Sequence, residues 1–224
     1  MGAHHEKQMG LFITLEGGEG SGKSTQARML RDYLVADGQD VVLTREPGGT
    51  PEAEKIRDLI TQREGGDWTP IAEILLFFAA RQMHVESLIK PALAAGKFVI
   101  CDRFTDSTRA YQGYGHGFAL DKIEELNQFA LAGFEPDLTF IMDIDVDAGL
   151  QRSFSHKSQS NGLEATEDRF ERFDKFFHER MRRGFQEIAK HNSERCRLID
   201  ASRSQDAIFA DLKSHLESFM RHAV

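Results

Sequence analysis

The chain has 224 residues, 40% of them hydrophobic, enough for one large domain with a full core and no disulfide framework. A net charge of −8 excludes a global basic surface for nucleic acid, and the two cysteines, Cys101 and Cys196, sit in or beside predicted strands and suit a reducing, cytoplasmic setting. The longest apolar run, Ile74 to Ala80, is far too short to span a membrane, and no signal peptide is visible.

In chain order, residues 1–9 are polar, carry His4 and His5, and read as a frayed or tag-like N-terminus, which leaves 10–224 as a single domain. Leu11 to Leu15 is an apolar run suited to a buried strand. Ser24 to Asp37 then carries Ala27, Leu30, Leu34 and Val35 at helical spacing. Between them stands Gly17-Gly18-Glu19-Gly20-Ser21-Gly22-Lys23-Ser24, a G-x-x-x-x-G-K-S loop in the strand–loop–helix context such a loop needs. Its glycines let backbone N–H groups turn inward at the helix start, where the partial positive charge favours an anion. Lys23 is expected to reach the β- and γ-phosphates of a nucleotide and the Ser24 hydroxyl to bind Mg²⁺.

Asp40 to Thr44 reads as a second strand, ending at the turn Arg45-Glu46-Pro47-Gly48-Gly49-Thr50. A helix is expected from Pro51 to Arg63. After Gly65-Gly66, Thr69 reads as an N-cap with Pro70 at the first helical position of a long helix running to Ala94. Its centre, Ile74 to Ala80, is apolar nearly all round and is expected to be buried on several sides. Phe98 to Cys101 is a third strand closed by Asp102-Arg103, and a loop of small and hydroxylated residues is expected from there to Gly117.

Leu120 to Ala132 reads as a helix, Leu138 to Met142 as a fourth strand, and Asp147 to Ser155 as a short helix. It opens into an aperiodic polar stretch, a mobile lid over about 153–167. A long helix is expected from Glu167 to His191, with Phe170, Phe173, Phe176, Phe177, Met181, Phe185 and Ile188 as a core stripe. Arg195 to Ile199 is the last strand and Gln205 to Met220 the closing helix. Strands alternating with helices imply an α/β fold, a parallel five-stranded sheet with helices on both faces.

A phosphate loop specifies a nucleotide, not a reaction. The carboxylate partner of the metal belongs at the end of an apolar strand: Asp102 fits, with Arg103 beside it as a cation, and Asp143 is the competing choice. Glu16, just before the loop, could bind a sugar hydroxyl or support the metal. Arg45, Arg81 and Arg103 lie at strand ends or on the long helix, the edge where ligands bind in an open sheet, and point to a second anionic substrate. Phe77, one turn before Arg81, could clamp a flat base, although its apolar run alone reads as core. The chain lacks an Asn-Lys-x-Asp motif and an Asp-x-x-Gly switch, which favours a kinase over a GTPase.

These blocks together resemble the thymidylate kinase family of bacterial nucleoside monophosphate kinases. Leu15 to Thr25 is similar to its phosphate loop, Thr44 to Thr50 to its second block, and Glu73 to Arg81 to its base-binding helix. Asp102 to Gly113 is close to a family signature, with Pro136 to Thr139 and Asp168 to Glu171 completing the set.

The resemblance implies ATP + dTMP → ADP + dTDP with Mg²⁺, and a homodimer. It implies that Phe77 stacks on thymine and Arg81 bonds its carbonyl, that Thr108 and Gln112 face the base edge, and that Tyr111 lies under the deoxyribose. Arg45 and Arg103 would hold the dTMP phosphate, Glu16 would sit near the 3′-hydroxyl, and Asp102 would hold the metal through water. The phosphate loop has no arginine, and neither does the lid from Ser153 to Glu167. Arg152 is the first choice for the catalytic lid cation, Arg169 the second and Lys157 the third. A kinase for another small nucleotide such as dUMP, and a non-catalytic ATP-binding switch, are the competing readings.

Overall fold

The computed structural model describes residues 10–61, 68–159 and 169–222. Five strands form one all-parallel sheet in the order β2-β3-β1-β4-β5: β1 Phe12–Gly17, β2 Val41–Arg45, β3 Phe98–Asp102, β4 Leu138–Asp143 and β5 Cys196–Asp200. The central strand β1 is buried along its whole length, and the side-chain period of two divides it between two cores. Ile13 and Leu15 pack with Leu30 and Leu34 of α1 (Lys23–Ala36) and with Ile208, Leu212 and Leu216 of α9 (Gln205–His222). Phe12 faces the other way, toward Val99, Cys101, Phe104, Val85 and Ile89. Because the strands are parallel, all their carboxyl ends lie on one edge. There the register sets Leu15 opposite Asp102 and Arg45 opposite Asp102 from the other side.

Helix α2 is Pro51–Thr61, and α3 is Pro70–His84, begun by Thr69, whose hydroxyl accepts from the Ala72 N–H at 3.3 Å. The chain continues helically through a π-turn, Val85–Ile89, into α4, Lys90–Ala94. The centre of α3 is less enclosed than its composition suggests. Ile74 and Phe78 are buried, but Leu75 is 50% exposed and Ile71 is exposed with it, one face of the helix having no described neighbour.

Three further differences from the sequence expectations bear on the site. The stretch after β3 is not a loop but α5 (Thr105–Thr108) running into a π-turn, Arg109–Gly115. Buried Asp106 holds it by ion pairs to Arg109 at 2.8 Å and Arg195 at 2.7 Å, and Arg109 reaches Glu124 and Glu135 at 2.6 Å. No helical apolar period announces this segment, because side chains distant in sequence hold it. After α6 (Leu120–Leu131), α7 spans Val146–Gln159, so the expected lid begins inside a helix, and its remainder, 160–167, lies outside the described residues.

The long helix expected from Glu167 instead begins as α8 at Lys175 and runs to His191. A 3₁₀ turn, Phe170–Arg172, precedes it, Phe173 is extended, and Asp174 caps the helix by accepting from the Phe177 N–H at 2.8 Å. Phe177, Met181, Phe185 and Ile188 form the buried stripe, but Phe176 is 72% exposed and Phe170 and Phe173 precede the helix.

Candidate active site

The carboxyl edge of the sheet opens into a cleft of about 1050 Å³. The phosphate loop, Arg45, Asp102, Arg103 and Arg152 line one part of it, and Phe77, Arg81, Thr108, Tyr111, Gln112 and Phe170 another. Every substrate-side residue expected from the sequence except Glu16 lines this cleft.

The loop is left-handed at Gly20 (φ 65°) and Gly22 (φ 88°), and a side chain on Gly20 would collide with the Gly149 carbonyl on α7. Lys23 donates from Nζ to the Gly18 carbonyl at 2.7 Å and the Ser21 hydroxyl at 3.2 Å, which stretches it back over the loop. Burial first, and the Arg103 charge second, push its ammonium down to about 8. At the mouth of the loop the Ser24 hydroxyl donates to the Asp102 carboxylate. The two expected metal ligands therefore meet, and their hard oxygens are the donors Mg²⁺ takes when substrate phosphates complete its shell. Asp143, the competing choice, is engaged with Arg182 at 2.7 and 3.0 Å.

Arg103 has φ 75°, unusual for a residue with a side chain and a cost of about 1–2 kcal/mol held by the surrounding fold. Its guanidinium donates to the Gly17 carbonyl at 2.9 Å, to Ser107 at 3.2 Å and to Glu19 at 3.3 Å, and lies over the Tyr111 ring. Burial would lower its pKa, but Tyr111, Glu19, Asp102 and Glu16 together hold it above the usual arginine value. Glu19 belongs to the phosphate loop, yet its carboxylate turns to Arg103 and accepts the Tyr111 hydroxyl. Thr25 follows on α1 at the entrance to the cleft.

Glu16 is fully buried beneath this group. It accepts from the Phe104 N–H and from the Ser107 hydroxyl, both at 2.6 Å. Burial, then the neighbouring Asp106 charge, raise its carboxyl to about 7. Glu16 thus fixes the turn that carries Arg103 and Ser107.

On the other side, Arg81 is 2% exposed and commits three of its five N–H donors to the protein. It donates to Glu46 at 2.6 Å, to Thr108 at 3.1 Å and to the Phe104 carbonyl at 3.1 Å. Glu46 also meets His84 Nδ1 at 3.0 Å, while His84 Nε2 meets the Thr44 hydroxyl at 2.7 Å. Gln112 donates to buried Glu73 at 2.7 Å, and Glu73 receives Arg169 at 2.5 Å. Phe77 and Phe170 lie with ring centroids 6.2 Å apart and their planes tilted by 44°. Arg45 is exposed and pairs with Glu54 at 3.2 Å.

Sequence reasoning did not assign Glu46, Glu73, Ser107 or Phe170 a role in the site. Glu46 and Glu73 stood in the quoted blocks, but a buried carboxylate holding an arginine looks in sequence like any surface glutamate.

The three lid cations part company. Arg152 lines the cleft where α7 abuts Gly20 and donates to the carbonyls of Ala201 at 2.8 Å and Ser202 at 3.1 Å. Arg169 is tied to Glu73 and to the Ile60 carbonyl at 3.2 Å, on the Phe77 side. The side chain of Lys157 lies outside the described residues.

A phosphate loop at the carboxyl edge of a parallel sheet, facing a second basic pocket with an aromatic wall, defines a P-loop phosphotransferase with two substrate sites. The Thymidylate kinase family profile matches residues 15–212. The chain is 49% identical over 203 residues to the thymidylate kinase of Ruegeria pomeroyi, covering 91% of this chain and 92% of that one. It is 48% identical over 201 residues to that of Caulobacter vibrioides, covering 90% and 93%. Among solved structures, thymidylate kinase from Ehrlichia chaffeensis superposes with a TM-score of 0.73 at 37% identity, covering 93% of this chain and 99% of that chain. The chain belongs to the thymidylate kinase family.

Proposed function

We propose that the chain phosphorylates dTMP to dTDP with ATP, the activity named by its family. The observation that carries the reading is the pairing of two half-sites in one cleft: a phosphate loop with Lys23 beside an aromatic and guanidinium pocket of Phe77, Arg81 and Gln112. A non-catalytic ATP switch needs no such second pocket. Coupled ADP release over a panel of nucleoside monophosphates tests it. dTMP is expected to turn over fastest, and turnover with dUMP, dCMP or AMP equal to that with dTMP would overturn the assignment.

The family resemblance, together with a shared place in the cleft, supports the following roles. Lys23 and the loop N–H groups hold the ATP phosphates. Phe77 stacks on the base with Phe170 opposite, Arg81, Thr108 and Gln112 read its edge, and Tyr111 lies under the sugar. Arg45 and Arg103 hold the dTMP phosphate in line with the γ-phosphorus. Ser24 and Asp102 would hold Mg²⁺, which would draw charge from the transferring phosphoryl group when bound. The protein's contribution is then position and positive charge from Lys23, Arg103 and Arg152.

The reaction belongs in the cytoplasm, and no described helix is long and apolar enough to cross a membrane. Neither nucleic acid nor membrane enters this reading. A homodimer through α3 and α6 accounts for the exposed Ile71 and Leu75 and for Phe129, which is 89% exposed.

A further inference from the structure

Glu19 is an unusual carboxylate. It is almost wholly enclosed, and one oxygen, Oε1, accepts from both the Tyr111 hydroxyl and Arg103. Its second oxygen, Oε2, is buried with no hydrogen-bond donor among the described residues. His178 on α8 stands beside it, with Nδ1 3.7 Å from Oε2. His178 is itself 2% exposed, and its Nε2 also has no partner among the described residues. It is Nδ1, not the unpartnered Nε2, that stands toward Oε2, and a buried carboxylate oxygen left without a donor beside an imidazole N needs a reason.

The surroundings single out this pair. The other carboxylates lining the space beside His178 are committed, Asp143 to Arg182 at 2.7 Å and Gln186 at 3.2 Å, and Asp145 to the Asp147 N–H at 3.0 Å. The charged or ionisable groups facing Glu19 are Arg103, Lys23, Tyr111 and His178, and their combined pull overcomes burial and holds its carboxyl below the usual value. Arg103 is the group that the dTMP phosphate engages in the proposed site. When the substrate draws on that guanidinium, Glu19 loses part of its donor set, and His178 is the donor closest to making up the loss.

We propose that His178 is a positioning residue for dTMP binding, holding Oε2 of Glu19 so that Oε1 stays aligned on Arg103 and Tyr111. This role rests on the site reading given above. The imidazole touches no substrate; it acts through a carboxylate that anchors two substrate-side groups, Arg103 just after β3 and Tyr111 in the π-turn.

The experiment is steady-state kinetics with dTMP and ATP varied separately, with melting temperatures for every variant. His178→Leu keeps the bulk and removes the donor. It is expected to raise KM for dTMP about tenfold, the size of one lost charge-assisted hydrogen bond, with KM for ATP and kcat nearly unchanged. His178→Asn, whose amide falls where Nδ1 stands, is expected to restore KM for dTMP to near the parent value. In a Glu19→Gln background His178→Leu is expected to add little, because the charge it serves is gone.

Equal KM for His178→Leu and the parent, or fully additive effects of His178→Leu and Glu19→Gln, would overturn the role. If His178→Leu does not fold, His178→Gln takes its place, since its amide falls at Nε2, away from Glu19; Asn and Gln behaving alike would then overturn it. Arg103→Ala separates the levels. An impaired Arg103→Ala beside a parent-like His178→Leu removes only His178, and an unimpaired Arg103→Ala removes the site reading and His178 with it.

Discussion

Arg81 and Glu46 form an ion pair at 2.6 Å with both side chains almost completely buried. Glu46 follows Arg45 in the turn after β2, and Arg81 stands on α3, so the pair ties the phosphate-side turn to the base-side helix. Thr108 and the Phe104 carbonyl occupy the other arms of the guanidinium, and a fork so held needs no rearrangement before it meets a base. Glu46→Ala strands a buried guanidinium and is expected to cost about 3–5 kcal/mol in denaturant unfolding. Arg81→Lys keeps the charge but loses the planar fork. It is expected to raise KM for dTMP more than KM for ATP.

The contact between Ser24 and Asp102 predicts a shared metal. Asp102→Asn is expected to lower kcat by about 10²–10³ and to shift activity to higher Mg²⁺ concentration. A titration of turnover against Mg²⁺ checks this; an unchanged Mg²⁺ dependence would pass the role to another carboxylate.

Arg152 and Arg169 separate by kinetics. Arg152→Ala is expected to lower kcat by about 10²–10³, as loss of a cation on the transferring group does, with KM for dTMP little changed. Arg169→Ala releases Glu73 and, through it, Gln112, so KM for dTMP rises while kcat falls less. Unchanged turnover for Arg152→Ala would remove it as the catalytic cation.

Glu16 imposes a pH dependence on stability. Its carboxyl is raised from the ordinary 4.5 to about 7 in the folded chain, by burial first and then by Asp106. Between those values the folded chain keeps a proton on Glu16 that the unfolded chain has lost, so this group's contribution to stability is full below 4.5 and is lost as pH rises through about 7. The loss is of order 3 kcal/mol for this group alone. Glu16→Gln is expected to flatten the slope of unfolding free energy over that window, measured by denaturant titration at several pH values.

Leu75→Glu and Phe129→Glu test the association. Each places a charge on an exposed apolar face of α3 or α6 and is expected to convert a dimer into a species near the 25.3 kDa of one chain in light scattering. A parent protein already at that mass would remove the dimer.

The sequence by itself determined the sheet, the phosphate loop and most of the residues that line the cleft. Apolar runs such as Phe98 to Cys101, the glycine pattern from Gly17 to Gly22 and the N-cap at Thr69 are local chemistry, written within a few residues of where they act. Only the tertiary structure decided the rest. The helical segment from Thr105 to Gly115 is held by Arg195 and Glu135, the start of α8 by a cap at Asp174 rather than by its phenylalanine run, and Leu75 is exposed although its run looks like core. The carboxylates Glu16, Glu19, Glu46 and Glu73 orient the site's cations and amides from below. Their partners lie tens of residues away, so no period or motif marks them. Burial gives a carboxylate its force over a neighbouring guanidinium, and burial is a property of the packed chain.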